Sequence, residues 1–234
     1  MATLRILSAG AAQAVVERIQ SAFERDTGNG VVKDCGAVGA MKKRVVDGEA
    51  VDVILLTRAL MDELVASGHV VPGTVHDLGK VGTGVAVRAG TPLPEMSNDQ
   101  ALRGNLLAAT RIVFPDPATA TAGKVVTRML EALGIADRVC DRVQFFPNGY
   151  AAMRWLAQSS GLNEIGMTQV SEIVANPAVT YVGPFPEKYQ MKATYSVGLA
   201  AHAGAPDLAR DFIARLSAPS FRADLRAAGY ELGG

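Results

Sequence analysis

The sequence predicts an α/β protein built as two doubly wound lobes joined by two crossing strands, and three observations predict it. Short apolar runs alternate with amphipathic helical patterns along the chain. Such alternation gives mostly parallel sheets with helices on both faces. At 234 residues the chain has room for two domains of about 100 residues each. No repeat or low-complexity linker interrupts it, so strands rather than a flexible tether are expected to join the lobes. The candidate crossings are Val81 to Arg88 and Lys192 to Ala201. They make the first lobe discontinuous: residues 1–84 completed by 195–234, with 85–194 as the second lobe.

Each element has its own signal. Leu4 to Leu7 reads as a buried strand. Ala12, Val15, Val16, Ile19 and Phe23 then recur at helical spacing until Gly28. Val31 to Cys35 is a second strand, followed by a short helix with Met41 and Val45 on one side and a stop at Gly48. Val51 to Leu56 is a third strand. Thr57 is placed to cap a helix that carries Leu60 and Leu64 and ends at Gly68.

In the second lobe Ser97 with Gln100 forms a capping-box pattern for a helix to about Ala108. Arg111 to Phe114 is a strand. A helix from Thr121 carries Val125, Val126, Met129, Leu130 and Leu133 up to Gly134. Val143 to Phe146 is a strand, and Asn148 caps a helix carrying Met153, Trp155 and Leu156. Glu164 to Met167 and Thr180 to Gly183 are further short strands. Two helices close the chain, opened by Pro206 and Pro219.

Composition narrows the function. Hydrophobic residues make up 49% and charged residues 20%, ordinary for a globular protein. Lys plus Arg and Asp plus Glu are both 23, and no run of like charge occurs, so nothing steers the chain toward nucleic acid or anionic lipid. The longest apolar stretches fall short of a membrane span. The opening Met1-Ala2-Thr3-Leu4-Arg5-Ile6 lacks the pattern of an export signal. The expected location is therefore cytoplasmic, or periplasmic if a leader has been removed. Cys35 and Cys140 form no metal-spaced pair and are expected to be reduced and mostly buried. His69, His76 and His202 are scattered, so neither a metal nor any other cofactor is expected.

One feature points to chemistry. Small residues join strand to helix at Ser8-Ala9-Gly10-Ala11-Ala12, Gly36-Ala37-Val38-Gly39-Ala40, Thr119-Ala120-Thr121-Ala122-Gly123 and Pro147-Asn148-Gly149. The first backbone N–H groups of a helix lack intrahelical partners and lie at the positive end of its dipole. Small residues let an anion approach them closely. Two such turns fall in each predicted lobe, at the carboxyl ends of strands where ligands of open parallel sheets bind. The expected ligand is one small anion in an interlobe cleft. The candidate ligand-binding residues are Ser8, Gly10, Ala11, Val38, Gly39, Thr57, Thr121, Ala122, Gly123, Asn148, Gly149, Thr168 and Gln169. On this reading Gly39→Val or Gly123→Val abolishes binding with little loss of folding.

Other residues have two readings. Asp116 between Pro115 and Pro117 either shapes a turn or lines the cleft. Lys42 and Arg58 either add positive charge to the cleft or sit on the solvated surface. Thr168 and Gln169 either donate to a ligand or cap the next turn. No Gly-x-Gly-x-x-Gly or P-loop is present, which argues against nucleotide binding.

The chain resembles the molybdate-type substrate-binding proteins of ABC transporters, which have the type II periplasmic-binding-protein fold. The resemblance is carried by Leu7-Ser8-Ala9-Gly10, by Gly48-Glu49-Ala50-Val51-Asp52 with its following strand, by Asp116-Pro117-Ala118 with Thr121-Ala122-Gly123, and by Phe221…Gly229-Tyr230. It implies a small-anion ligand. The family's two oxyanion-binding serines align with Ala11 and Val38, and its later tyrosine with Gln169. These departures favour an organic carboxylate over molybdate or tungstate, and the lack of an export signal argues against a transporter partner. Aconitate isomerase also resembles this family, so the resemblance extends to a cytoplasmic isomerase that moves a proton across an allylic system in a small polycarboxylate. Asp116, Lys42 and a hydroxyl of Ser8 or Thr168 are the candidate proton-transfer groups for that chemistry.

Overall fold

The computed structural model describes residues 2–233. In chain order the strands are β1 (Thr3–Ala9), β2 (Gly30–Gly36), β3 (Val53–Thr57), β4 (His76–Val81), β5 (Thr83–Arg88), β6 (Arg111–Pro115), β7 (Val143–Phe146), β8 (Glu164–Gln169), β9 (Val179–Pro184) and β10 (Ala193–Leu199). The helices are α1 (Gln13–Thr27), α2 (Val38–Val46), α3 (Arg58–Ala66), α4 (Asp99–Ala108), α5 (Thr121–Ala132), α6 (Ala136–Val139), α7 (Gly149–Gln158), α8 (Val170–Val174), α9 (Pro206–Ser217) and α10 (Arg222–Ala227). The chain divides into two compact units. The first runs to Val81 and resumes at Ala193; the second is Gly82–Lys192.

Each unit holds one five-stranded sheet, in the order β2-β1-β3-β10-β4 and β7-β6-β8-β5-β9. The sheets are mixed rather than mostly parallel. β1 lies parallel to β2 and β3, and β6 parallel to β7 and β8. β10 pairs antiparallel with β3 and β4, and β5 with β8 and β9. The physical reason is connectivity. A helical crossover returns the chain to the same end of a sheet and makes neighbours parallel. β5 and β10 are the strands that begin each newly entered stretch of chain, with no crossover helix before them.

The stretch Val81 to Arg88 is not one strand but the end of β4 and the whole of β5, broken at Gly82. The Gln190 side chain explains the break. Its amide oxygen accepts from the Thr83 N–H at 2.7 Å and its amide nitrogen donates to the Thr83 carbonyl at 2.8 Å. A side-chain amide thus bonds both backbone groups of the first residue of β5.

In the second unit alternate strand residues feed two separate apolar clusters. Ile112 and Phe114 pack with Val125, Val126, Met129 and Leu130 of α5 on one face. Val113 packs with Ala152, Met153 and Leu156 of α7 on the other. That is the alternation a doubly covered sheet requires. In the first unit Phe23 of α1 and Phe212 of α9 meet edge to face, 5.1 Å between ring centres. Asp52, the acid of the Gly-x-x-x-Asp stretch, is buried. Its carboxylate accepts from the Arg5 N–H at 2.7 Å and the Ala205 N–H at 3.0 Å, tying β1 to the start of α9.

Several local expectations are corrected. Asn98, not Ser97, caps α4, accepting from the Ala101 N–H at 3.0 Å, while the Ser97 amide turns back to Glu95. Thr57 occupies the cap position of α3 but its side chain makes no capping bond. Pro219 opens a 3₁₀ turn, Pro219–Phe221, and α10 begins only at Arg222. Cys140 is exposed and Cys35 half-buried, because Cys140 falls in a surface turn after α6.

Candidate functional site

In the first unit, Ser8, next to last in β1, is fully buried, its hydroxyl donating to the Ala9 carbonyl at 3.0 Å. Gly10, Ala11 and Ala12 form a buried 3₁₀ turn that leads into α1. Across the sheet Ser8 lies in register with Cys35. Burial pushes the thiol up to about 11, so it stays protonated at neutral pH. Val38 and Gly39 begin α2, half-buried and exposed respectively.

Helix starts in this protein are of two kinds. The cap residues of α1, α2, α3 and α5 are Ala12, Ala37, Thr57 and Ala120, and none makes a side-chain capping bond. No acidic residue lies in the first turn of any of the four. These starts leave N–H groups and the positive dipole end without a side-chain acceptor from the chain itself.

The start of α7 is different. The Asn148 side chain accepts from the Ala151 N–H at 2.9 Å. Glu172 lies fully buried beside it and accepts from the Gly149 N–H, the Gln169 N–H and the Thr168 hydroxyl. Burial pushes this carboxyl up to about 7, against the pull of those three donors. The donors of Gly149, Thr168 and Gln169 expected for a ligand are thus engaged by the protein's own carboxylate, while the Asn148 side chain is used as the cap of this helix. Sequence reading missed Glu172. The available signal was the Thr168–Glu172 spacing of four; the link to Gly149 spans 23 residues and had none.

Gly123 has a packing role. A Cβ there would lie 2.2 Å from the Pro115 carbonyl oxygen and 2.7 Å from the Pro117 nitrogen. The first turn of α5, with Thr121 and Ala122, therefore rests directly on the Pro115–Pro117 backbone. Gly123→Val cannot leave folding nearly untouched, contrary to the expectation above. Asp116 shapes that turn: its carboxylate accepts from the Ala118 N–H at 2.8 Å and its carbonyl from the Ala120 N–H at 2.9 Å. Lys42 pairs with Glu63, and Arg58 with Asp62 and Asp77 at 2.8 and 3.2 Å. Asp116, Lys42 and Arg58 thus all have local partners. Among the described residues no group of three His, Cys, Asp or Glu side chains could hold a metal ion.

Residues 4–231 match the bacterial extracellular solute-binding protein family. The chain belongs to that family. A curated relative, aconitate isomerase of a Pseudomonas species, is 28% identical over 223 residues, 92% of this chain and 82% of the relative. Among solved structures, the periplasmic molybdate-binding protein of Azotobacter vinelandii superposes with a TM-score of 0.80 at 22% identity, covering 99% of this chain and all of that one. The sulfate-binding protein of Mycobacterium tuberculosis gives 0.72 at 19% identity over 98% and 86%. The fold is that of these binding proteins, with mixed sheets and helices on their faces. No helix among the described residues is long and apolar enough to cross a membrane.

Proposed function

We propose that this solute-binding family member binds a small organic carboxylate, with a polycarboxylate of aconitate type as the first candidate. The observation that carries the reading is the Pseudomonas aconitate isomerase, whose similarity spans 92% of the chain. The uncapped, acid-free starts of α1 and α2, both in the first unit, support it. Their donors are backbone N–H groups beside Gly10, Ala11, Val38 and Gly39, suited to any anion that fits. Where oxyanion-binding relatives of this type are expected to place hydroxyls, Ala11 and Val38 offer none, which lowers the match to molybdate.

The test is a thermal-shift series with cis-aconitate, trans-aconitate, citrate, succinate, acetate, molybdate, sulfate and phosphate. A ligand present at about 100 times its dissociation constant stabilises by roughly 2.7 kcal/mol. A rise in midpoint with a di- or tricarboxylate, and none with molybdate, is expected; the reverse pattern overturns the carboxylate assignment.

A second reading, turnover, rests on the same relative. Aconitate isomerisation removes a proton from one end of an allylic system and returns one at the other, with no net change in atoms. Asp116 and Lys42 are held by Ala118 and Glu63, so either would have to leave that partner to act. Incubation of each aconitate isomer in D₂O, followed by proton NMR, decides: interconversion with deuterium uptake supports an isomerase, and binding without either leaves a binding protein.

A further inference from the structure

Arg88 ends β5 and Glu164 begins β8. The two strands are antiparallel, with Thr83 opposite Gln169 and Ala86 opposite Gly166. Extended two residues past its last pair, that register would set Arg88 opposite Glu164 on one face. Opposite charges so placed ordinarily close into a cross-strand ion pair. Here Arg88 Nε and Glu164 Oε2 are both buried and neither has a hydrogen-bond partner. A buried donor and a buried acceptor left unmatched in one place are costly and call for a partner.

Both residues line one cavity of about 240 Å³, whose apolar wall includes Val87, Pro92 and Pro94. The surrounding backbone is pinned. The Thr91 hydroxyl donates to the Arg88 carbonyl at 2.7 Å, and the Asn163 side chain to the Ala108 carbonyl at 2.6 Å. Gly161 makes room for the carboxylate: a Cβ there would lie 2.2 Å from Glu164 Oε1. Glu164 opens β8 and Thr168 lies near its other end, about 13 Å away at 3.3 Å per residue. The cavity is therefore at the opposite end of this strand from the start of α7.

We propose that this cavity is a second binding site, for a small zwitterion of the α-amino-acid class. The ligand carboxylate meets the Arg88 guanidinium, its ammonium meets the Glu164 carboxylate, and a short aliphatic side chain lies against Val87, Pro92 and Pro94. The volume lies below the range of drug-sized ligand pockets, which suits a molecule of this size. Arg supplies planar donors matched to a carboxylate, and a carboxylate accepts well from an ammonium.

The test is isothermal titration of the full chain with glycine, L-alanine, L-valine and L-proline, with acetate and methylamine as half-ligands. At least one amino acid is expected to bind one to one, with neither half-ligand matching it. Arg88→Met and Glu164→Gln should each weaken binding about tenfold or more, and circular dichroism melts establish that each variant is folded. Absence of heat with all four amino acids up to about 10 mM overturns the proposal and leaves the pair bridged by water. Binding unchanged in both folded variants overturns it as well.

Discussion

The Tyr230 hydroxyl donates a 3.0 Å hydrogen bond to the carbonyl of Ala11, 219 residues earlier in the chain. Tyr230 is buried and its ring meets Tyr195 edge to face, 6.3 Å between centres. The Gly-Tyr near the C-terminus therefore fixes the turn between β1 and α1, one of the uncapped helix starts. Tyr230→Phe keeps the ring packing and leaves the Ala11 carbonyl without this donor. The expected loss is roughly 1–3 kcal/mol of stability, read by urea denaturation, together with weaker binding of whichever carboxylate the thermal series selects. Unchanged stability would show that the bond contributes nothing net.

Glu172 predicts an unusual pH dependence. Its carboxyl titrates near an ordinary value of 4.5 in the unfolded chain and at about 7 when folded. Between those values the folded state holds more protons than the unfolded state. Stability from this group is then full below about pH 4.5 and is lost as pH rises through about 7. Glu24, Glu49, Glu95 and Asp99 are shifted the other way by their donors, so they act only at acid pH. In Glu172→Gln the fall between pH 5 and 7.5 should vanish from the melting-temperature profile. A fall that persists in the variant would assign it to another group.

Two glycines should resist substitution for steric reasons. At Gly149 a Cβ would lie 1.9 Å from Glu172 Oε2 and 2.2 Å from Thr168 Oγ1. At Gly123 it would strike the Pro115 carbonyl, which is backbone and yields less readily. Gly149→Ala and Gly123→Ala are each expected to cost about 2–4 kcal/mol. Gly104→Ala, with open space around its Cβ inside α4, should instead stabilise by about 0.5–1 kcal/mol. Parallel chemical melts of the three variants check the contrast.

Those contrasts show what the sequence could and could not disclose. Helix stops were legible because Gly28, Gly68 and Gly134 must take positive φ, and all do. Strands β1, β2, β3, β6 and β7 announced themselves as apolar runs between turn residues. Val81 to Arg88, Thr180 to Gly183 and Lys192 to Ala201 were legible as extended stretches too, but their antiparallel direction was not, because it depends on where the chain enters the sheet. At the candidate site, the small-residue turns were legible but their occupancy was not. Asn148 seals its own helix locally, yet Glu172 reaches the same helix from 23 residues away. Gly123 likewise reads as an anion cradle until the Pro115 carbonyl is seen behind it.

The distinction between sealed and open helix starts makes the sharpest prediction. Ala37 caps α2 in extended conformation, half-buried, with no side-chain acceptor for the N–H groups that follow. Ala37→Asp would supply one, as Asn148 does at α7. A capping carboxylate at this position is expected to stabilise the fold by about 0.5–2 kcal/mol. It would also place negative charge where an anionic ligand is proposed to sit. Stability and affinity should therefore move in opposite directions in one variant, measured by thermal melts without ligand and by titration with the selected carboxylate. Ala37→Asn, which caps without charge, should stabilise comparably and weaken binding less. Equal affinity in wild type and Ala37→Asp would remove α2 from the site while leaving its capping energetics intact.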